Sequence, residues 1–196
     1  MLNNAIRSDK HKLSYLTKGF RVVCLSTDFN DIKMWSHYGN NNKGICTIYD
    51  FSKSINEINN SIYPVIYLDE PIDVTELCED SNKIQHAVII SIISKSIDWK
   101  YEKEHRIIID FWKSKENRLL IKGIPKPECI FLGKRFIENY REVKRDEKKK
   151  EELKYINEFL DYVKLEEINL KIIQPKIRSF QLEDKDISVE TIIRDS

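Results

Sequence analysis

The segment Trp99-Lys-Tyr-Glu-Lys-Glu-His-Arg106 is the stretch of this sequence whose residue types and spacing point most directly to chemistry. If it forms a β-strand, side-chain alternation places Glu102, Glu104 and Arg106 on one face. Two nearby carboxylates raise one carboxyl pKa, whereas a guanidinium lowers its neighbour's, so one site could hold both an acid and a base. The alternative is an exposed strand face whose charges pair with adjacent strands, because structural ion-pair networks are common.

A second candidate site is the run Met34-Trp-Ser-His-Tyr38. On a short helix, Trp35, His37 and Tyr38 could form an aromatic wall with an imidazole that titrates near neutral pH. Such a wall could hold a planar ring, for example a base or a nicotinamide. The alternative is that Trp35 and Tyr38 anchor the core while His37 hydrogen-bonds to the backbone.

Other chemistries have less support in the sequence. A nucleophile built from Cys24 or Cys46 with His37 has no local signature, and apolar flanks raise a thiol pKa. His37, Glu102 and Glu104 are suitable metal-ligand types without a ligand spacing, so we expect no metal site and rank a metal-dependent nuclease last. Neither GxGxxG nor GxxxxGK[ST] is present, so no phosphate-binding loop is predicted.

The elements that must position these residues follow from hydrophobic periodicity and breaker residues. Strands are predicted over 20–26, 44–51, 63–68, 104–111, 119–122, 129–133, 168–174 and 177–182. Helices are predicted over 28–38, with Asp28 or Asn30 as the cap, over 84–97, and over 136–163. The order is not a regular βαβ alternation. It favours an α+β fold with a mixed, largely antiparallel sheet, flanking helices and a long charged C-terminal helix.

The long helix over 136–163 contains an unusual charged segment. Apolar stripes lie on both sides of residues 144–152, which include no apolar residue. The helix therefore either projects into solvent at this point, supported by i,i+4 charge pairs, or is broken.

Composition predicts a single domain over residues 1–196, with 1–19 an irregular or helical N-terminal remnant. Hydrophobic residues make up 41% of the chain, and 33 Lys plus Arg nearly balance 32 Asp plus Glu, so no overall field favours nucleic acid or an anionic membrane. No secretory signal or membrane-length apolar run is visible, and the four cysteines have no CxxC spacing. We expect reduced cysteines and a cytoplasmic protein.

Two blocks of this sequence resemble one family. The blocks Met34-Trp-Ser-His-Tyr-Gly39 with Lys43-Gly-Ile-Cys46, and later Lys95 with Trp99-x-Tyr-Glu-x-Glu-x-Arg106, are similar to the bacterial domain-of-unknown-function 2971 family (DUF2971). The resemblance covers roughly residues 20–175, with Ile130-Phe-Leu-Gly133 as part of it. Family members usually carry a segment before the first strand that this chain lacks, which implies a fragment, a mis-started gene or a degenerate copy.

The resemblance locates a site without naming its reaction. It implies that Glu102, Glu104 and Arg106 are catalytic, and that Trp35, His37, Tyr38 and Trp99 bind a ligand. By analogy, the layout is similar to that of ADP-ribosyltransferases, which makes NAD⁺ a candidate cofactor and a defence or toxin-type transferase a candidate function. The alternative is a non-enzymatic protein-binding or regulatory module, or a truncated inactive copy, in which the charged residues are structural.

Overall fold

Nine strands and six α-helices form within residues 19–53, 58, 60–80, 82–110, 124–177 and 181–196, which are the residues described in the computed structural model. The strands are β1 (Phe20–Ser26), β2 (Ile45–Ile48), β3 (Ile62–Pro64), β4 (Ile66–Leu68), β5 (Ser94–Ser96), β6 (Glu104–Asp110), β7 (Cys129–Leu132), β8 (Asn169–Pro175) and β9 (Leu182–Asp186). The helices are α1 (Ile32–Tyr38), α2 (Thr75–Glu79), α3 (Ile84–Ile93), α4 (Phe136–Arg145), α5 (Lys150–Leu165) and α6 (Val189–Asp195). The predicted α+β class is confirmed.

These elements group into two compact units, Met1–Asp28 with Ile55–Gly123 and Phe29–Ser54 with Ile124–Ser196. The first unit contains an antiparallel sheet of order β1-β6-β3 and a small parallel pair, β4-β5. β6 lies between β1 and β3, and its Ile107 and Ile108 are buried. The predicted single domain over residues 1–196 stays a prediction.

The second unit contains a sheet of order β2-β7-β8-β9, with β7 and β8 parallel and the outer pairs antiparallel. α4 and α5 bury apolar stripes against this sheet, as their periodicity predicts. α6 adds Val189 and Ile192 to the same core, although no sequence pattern had suggested this helix.

The continuous helix predicted over residues 136–163 is wrong, because the charged segment breaks it. Asp146 has extended backbone angles (φ −98°, ψ 106°), and its side chain accepts a hydrogen bond from the Lys148 backbone N–H. It thereby caps a 3₁₀ turn, Glu147–Lys149, that leads into α5. Asp competes with helical hydrogen bonding in this way, so the broken alternative is the correct one.

The predicted strand over residues 99–106 is wrong in its first half. Ile97–Glu102 is a 3₁₀ helix, Lys103 has left-handed backbone angles, and β6 begins only at Glu104. Ser96 starts the 3₁₀ helix by accepting the Asp98 backbone N–H. A local side-chain cap therefore overrides the alternating pattern.

Other boundaries differ by smaller shifts. α1 is capped by Asp31, whose carboxylate accepts the backbone N–H groups of Lys33 and Met34, so the expected caps Asp28 and Asn30 are wrong. α3 ends at Ile93 because the next three residues pair with β4. The last strand spans Leu182–Asp186, not 177–182. The predictions for residues 1–18 and 119–122 lie outside the described residues.

Candidate functional site

The candidate site lies in the first unit, where the chain leaves α3, forms β5 and the 3₁₀ helix, and then enters β6. β5 places Lys95 two residues after the last residue of α3, and the 3₁₀ helix returns the chain so that Glu102 and Glu104 face that lysine. The site therefore depends on a turn between its two carboxylates.

Four charged side chains form what we call the ionic cluster: Lys95, Glu102, Glu104 and Arg106. The Lys95 Nζ donates to Glu102 Oε2 and also, at 3.0 Å, to Glu104 Oε2. Arg106 binds the same Glu104 carboxylate in bidentate fashion, with Nε 2.8 Å from Oε1 and Nη2 3.1 Å from Oε2. Bidentate Arg–carboxylate pairs are among the strong charge-assisted hydrogen bonds.

The ionic cluster is buried. Glu102 and Glu104 are 3% and 5% exposed, and the side chains of Arg106 and Lys95 are 16% and 20% exposed. The sequence-based alternative of an exposed, solvated strand face is therefore wrong. Two positive and two negative side chains balance, which satisfies the requirement that buried charges be paired.

Backbone contacts fix each carboxylate-bearing residue in place. The Glu104 N–H donates to Tyr67 Oη at 2.8 Å, and its carbonyl accepts the Val65 N–H at 2.9 Å. The Ser26 hydroxyl donates to the Glu102 carbonyl at 2.7 Å. Arg106 Nη1 donates to the Ile92 carbonyl, so the guanidinium also satisfies a carbonyl in the last turn of α3.

The electrostatics of the ionic cluster hold Glu104 and Lys95 in their charged forms. Burial raises the pKa of Glu104, but hydrogen bonds from Arg106, Cys24 and Lys95 outweigh it and lower that pKa to about 2. Burial lowers the pKa of Lys95, yet its bonds to Glu102 and Glu104 raise it above the usual value. At neutral pH, Lys95 is therefore an ammonium and not a nucleophilic amine.

A pocket of about 330 Å³ opens next to the ionic cluster, and Lys95 lines it. We call it the Lys95 pocket. Its apolar walls are Leu68, Pro71, Ile72, Val74 and Ile90, and its polar lining is Asp69, Glu70, Ser91, Ser94, Ser96 and Lys95. Its volume falls at the small end of the range of about 300–1,000 Å³ that is usual for small-molecule sites.

The aromatic residues predicted to bind a ligand are divided between the two units. Trp99 belongs to the first unit, where its ring centroid lies 5.0 Å from Lys95 Nζ and 6.0 Å from the ring of Tyr101. The structure thus brings Trp99 next to Lys95 of the ionic cluster, and its role in ligand binding stays a prediction.

Trp35, His37 and Tyr38 belong to the second unit and do not form one wall. Trp35 is 4% exposed, packs with Phe131, and donates its indole N–H to the Phe29 carbonyl at 2.8 Å. Tyr38 is 62% exposed and His37 is also exposed. Trp35 is therefore the core anchor of the alternative interpretation, whereas Tyr38 is not.

Sequence reasoning missed Lys95 as the centre of the site. The signal was available, because Lys95 lies just after the apolar run that forms α3 and is one of the residues that carry the family resemblance. Asp69 and Glu70 were missed as well, since they lie in an irregular segment whose neighbours only the fold determines.

The cysteine and metal hypotheses gain no support. The four cysteines are free. Burial raises the pKa of Cys46, and burial followed by the neighbouring Glu104 raises that of Cys24, which disfavours the thiolate a nucleophile needs. In the described part of the chain, no three His, Cys, Asp or Glu side chains are grouped so that they could hold a metal ion. The Lys95 ammonium already bridges Glu102 and Glu104.

Fold and site together define an α+β protein with a buried ionic cluster beside a small pocket. Residues 34–107 match the family described as "Protein of unknown function (DUF2971)", which is the family that the two sequence blocks resemble. The matched range is narrower than the expected 20–175, yet it includes both sequence blocks that carried the resemblance. No curated protein and no solved structure matches the chain. No helix of the described residues is long and apolar enough to cross a membrane.

Proposed function

We propose that this chain is a small-molecule-binding protein and that the Lys95 pocket is its ligand site. One observation carries the proposal: the lysine that lines the pocket is the same lysine that the two buried carboxylates hold. A ligand-sized cavity next to ionisable residues with perturbed pKa values is the usual arrangement of a binding site.

The energetics of the ionic cluster support a role beyond folding. Taking charged groups out of water costs several kcal/mol per ion, and well-packed apolar side chains often stabilise a core equally well. Two buried carboxylates with two partly buried cations at one place are therefore a weak means of stabilising a fold. The four charges instead fix the position of one group. Glu102 and Glu104 hold the Lys95 ammonium in place, and Arg106 balances the charge of the Glu104 carboxylate.

This geometry favours positioning roles for Glu102, Glu104 and Arg106. A general base must reach the proton that it removes and have a pKa near the working pH. Glu104 is bonded to two cations with a pKa of about 2, which makes it a poor base at neutral pH. The ADP-ribosyltransferase-like hypothesis assigned catalysis to these residues and NAD⁺ as cofactor, and it stays a prediction. NAD⁺ therefore belongs in the ligand screen described below.

The proposal is tested by screening a small-molecule library with two-dimensional NMR on the intact chain, with NAD⁺ included. Ser91 lies on α3 and lines the pocket, so Ser91→Trp should fill it. Gln85→Trp is the matched control, because Gln85 is exposed on the same helix and does not line the pocket.

We expect compounds that shift pocket resonances to lose at least roughly tenfold in affinity with Ser91→Trp, as a filled cavity removes the contacts that hold them. Gln85→Trp should bind them as the unmodified chain does. Equal binding to both variants, or a library without a single compound that shifts pocket resonances, would overturn the proposal.

The runner-up hypothesis is a protein-binding module, and the charged segment over residues 144–152 is the candidate surface for its partner. In the structure this segment is the exposed break between α4 and α5, and charges of both signs alternate along it. No observation at this segment identifies a partner, and the hypothesis stays a prediction.

A further inference from the structure

The serine hydroxyl groups that line the Lys95 pocket already donate hydrogen bonds within the chain. The Ser91 hydroxyl donates to the Ala87 carbonyl at 2.8 Å, and the Ser94 hydroxyl donates to the Ile90 carbonyl at 2.7 Å. The Ser96 hydroxyl is 3.2 Å from Asp98 Oδ2. A ligand therefore meets the lone pairs of these hydroxyl oxygens and not their protons.

Lys95 does not give the pocket a positive character, although it is the only cation among the described residues of the lining. Its ammonium donates to both Glu102 and Glu104, and its charge is matched within the buried ionic cluster. An anionic ligand would have to compete with two carboxylates that are already fixed against the same nitrogen.

The unused polar groups of the pocket are acceptors. Asp69 and Glu70 line the pocket, and neither carboxylate has a hydrogen bond or an ion pair with another described residue. The lining thus carries an uncompensated negative charge beside apolar walls formed by residues such as Leu68, Ile72 and Ile90.

We propose that the Lys95 pocket binds an organic cation, namely an amine, amidine or guanidinium group carried on a compact apolar or aromatic body. This inference rests on the proposed function, because it names the ligand class for the same pocket. The cationic group would donate to Asp69, Glu70 and the serine oxygens, while the apolar body would lie against the aliphatic walls. The same balance of donors and acceptors disfavours phosphate-bearing ligands such as dinucleotides.

The test uses three probes of nearly equal shape and different charge: benzamidine (cationic), benzamide (neutral) and benzoate (anionic). Their affinities for the intact chain are measured by NMR titration. We expect benzamidine to bind more than about tenfold tighter than benzamide, since hydrogen bonds between charged groups are stronger than those between a neutral and a charged group. Benzoate should be the weakest of the three.

A pair of double variants separates local recognition from overall charge. Asp69→Asn with Glu70→Gln removes the two free carboxylates of the pocket. Glu76→Gln with Glu79→Gln removes the same charge from exposed positions on α2 outside the pocket. Benzamidine should lose roughly tenfold in affinity with the first double variant and keep its affinity with the second, whereas benzamide binding should be unchanged in both.

The outcomes distinguish this inference from the proposed function. If benzoate binds as tightly as benzamidine and Ser91→Trp removes both, the pocket is a ligand site but the cation class is wrong. If both double variants weaken benzamidine equally, the two pocket carboxylates do not recognise it and the inference fails. If none of the three probes binds at millimolar concentration, the inference fails. If the library screen also finds no Ser91→Trp-sensitive compound, the proposed function fails with it.

Discussion

At the scale of single residues, Glu104 determines the integrity of the ionic cluster. Its carboxylate accepts hydrogen bonds from both Arg106 and Lys95 while only 5% of the residue is exposed. Glutamine in its place would turn an NH₂ group towards one of these cations and remove the charge that balances them. Breaking a buried ion pair on one side is far more costly than replacing the whole pair.

We expect Glu104→Gln to lower the free energy of unfolding by about 3 kcal/mol at neutral pH, measured by urea denaturation. Glu138→Gln is the control, because its carboxylate pairs with Arg135 on the surface, where ion pairs contribute little. A loss no larger than that of the control would show that Glu104 is not fixed as described.

The difference in the free energy of unfolding between the original chain and Glu104→Gln should depend on pH in a defined direction. The pKa of Glu104 in the folded chain is about 2, below its usual value of 4.5. A lowered folded-state pKa contributes stability above pH 4.5, and this contribution is lost as the pH falls towards 2. The difference between the original chain and Glu104→Gln should therefore shrink over this range, whereas a constant difference would contradict the assigned pKa.

At the scale of elements, Lys103 is the residue at which the chain turns from the 3₁₀ helix into β6. It has a φ of 45°, in the left-handed region, and its N–H closes the last turn onto the Lys100 carbonyl. The left-handed region costs a residue with a Cβ about 1–2 kcal/mol. Here the strain allows Glu102 and Glu104 to face the same lysine on either side of the turn.

Lys103→Gly should raise the free energy of unfolding by about 1 kcal/mol in thermal or urea denaturation, because glycine adopts positive φ without a steric penalty. The ion pair lost between Lys103 and Asp28 is largely exposed and should matter little. Lys100→Gly, within the 3₁₀ helix, is the matched control and should lower stability by about 0.5–1 kcal/mol. If Lys103→Gly and Lys100→Gly both lower the free energy of unfolding, the backbone at Lys103 is not strained.

At the scale of the whole molecule, the main question is whether the two compact units unfold together. Each unit is assembled from two separated stretches of chain, so neither can be excised as one continuous segment. The prediction of a single domain from composition corresponds to one cooperative transition.

Two variants, one in each unit, test this prediction by scanning calorimetry. Glu104→Gln perturbs the first unit. Gly133→Ala perturbs the second, since a Cβ at Gly133 would lie 2.3 Å from the Asn42 carbonyl oxygen. We expect one endotherm that both variants move to lower temperature. Two endotherms, each moved by only one of the variants, would instead define two domains.

The sequence alone determined the features that depend on local pattern. β1 and the buried stripes of α4 and α5 follow directly from apolar periodicity, and β6 was correctly predicted from Glu104 onwards. The α+β class followed from the order of elements, and the family resemblance over residues 34–107 followed from two short blocks. These features need only neighbours along the chain, because burial of one face is encoded every two or every 3.6 residues.

The tertiary structure decided which of these residues meet. Strand alternation would have placed Glu102 beside Glu104 on a solvated face, whereas the turn at Lys103 and the end of α3 bring both to Lys95 in a buried place. The charged residues singled out between Trp99 and Arg106 thus do lie together, but the continuous strand predicted to bring them together does not form. The strength of an ion pair depends on the distance between the two charges and on the exclusion of solvent from them. Neither quantity can be derived from the spacing of residues along the sequence. The sequence could name the charged residues, but only the fold could place Lys95 between the two carboxylates, bury them and open a pocket beside them.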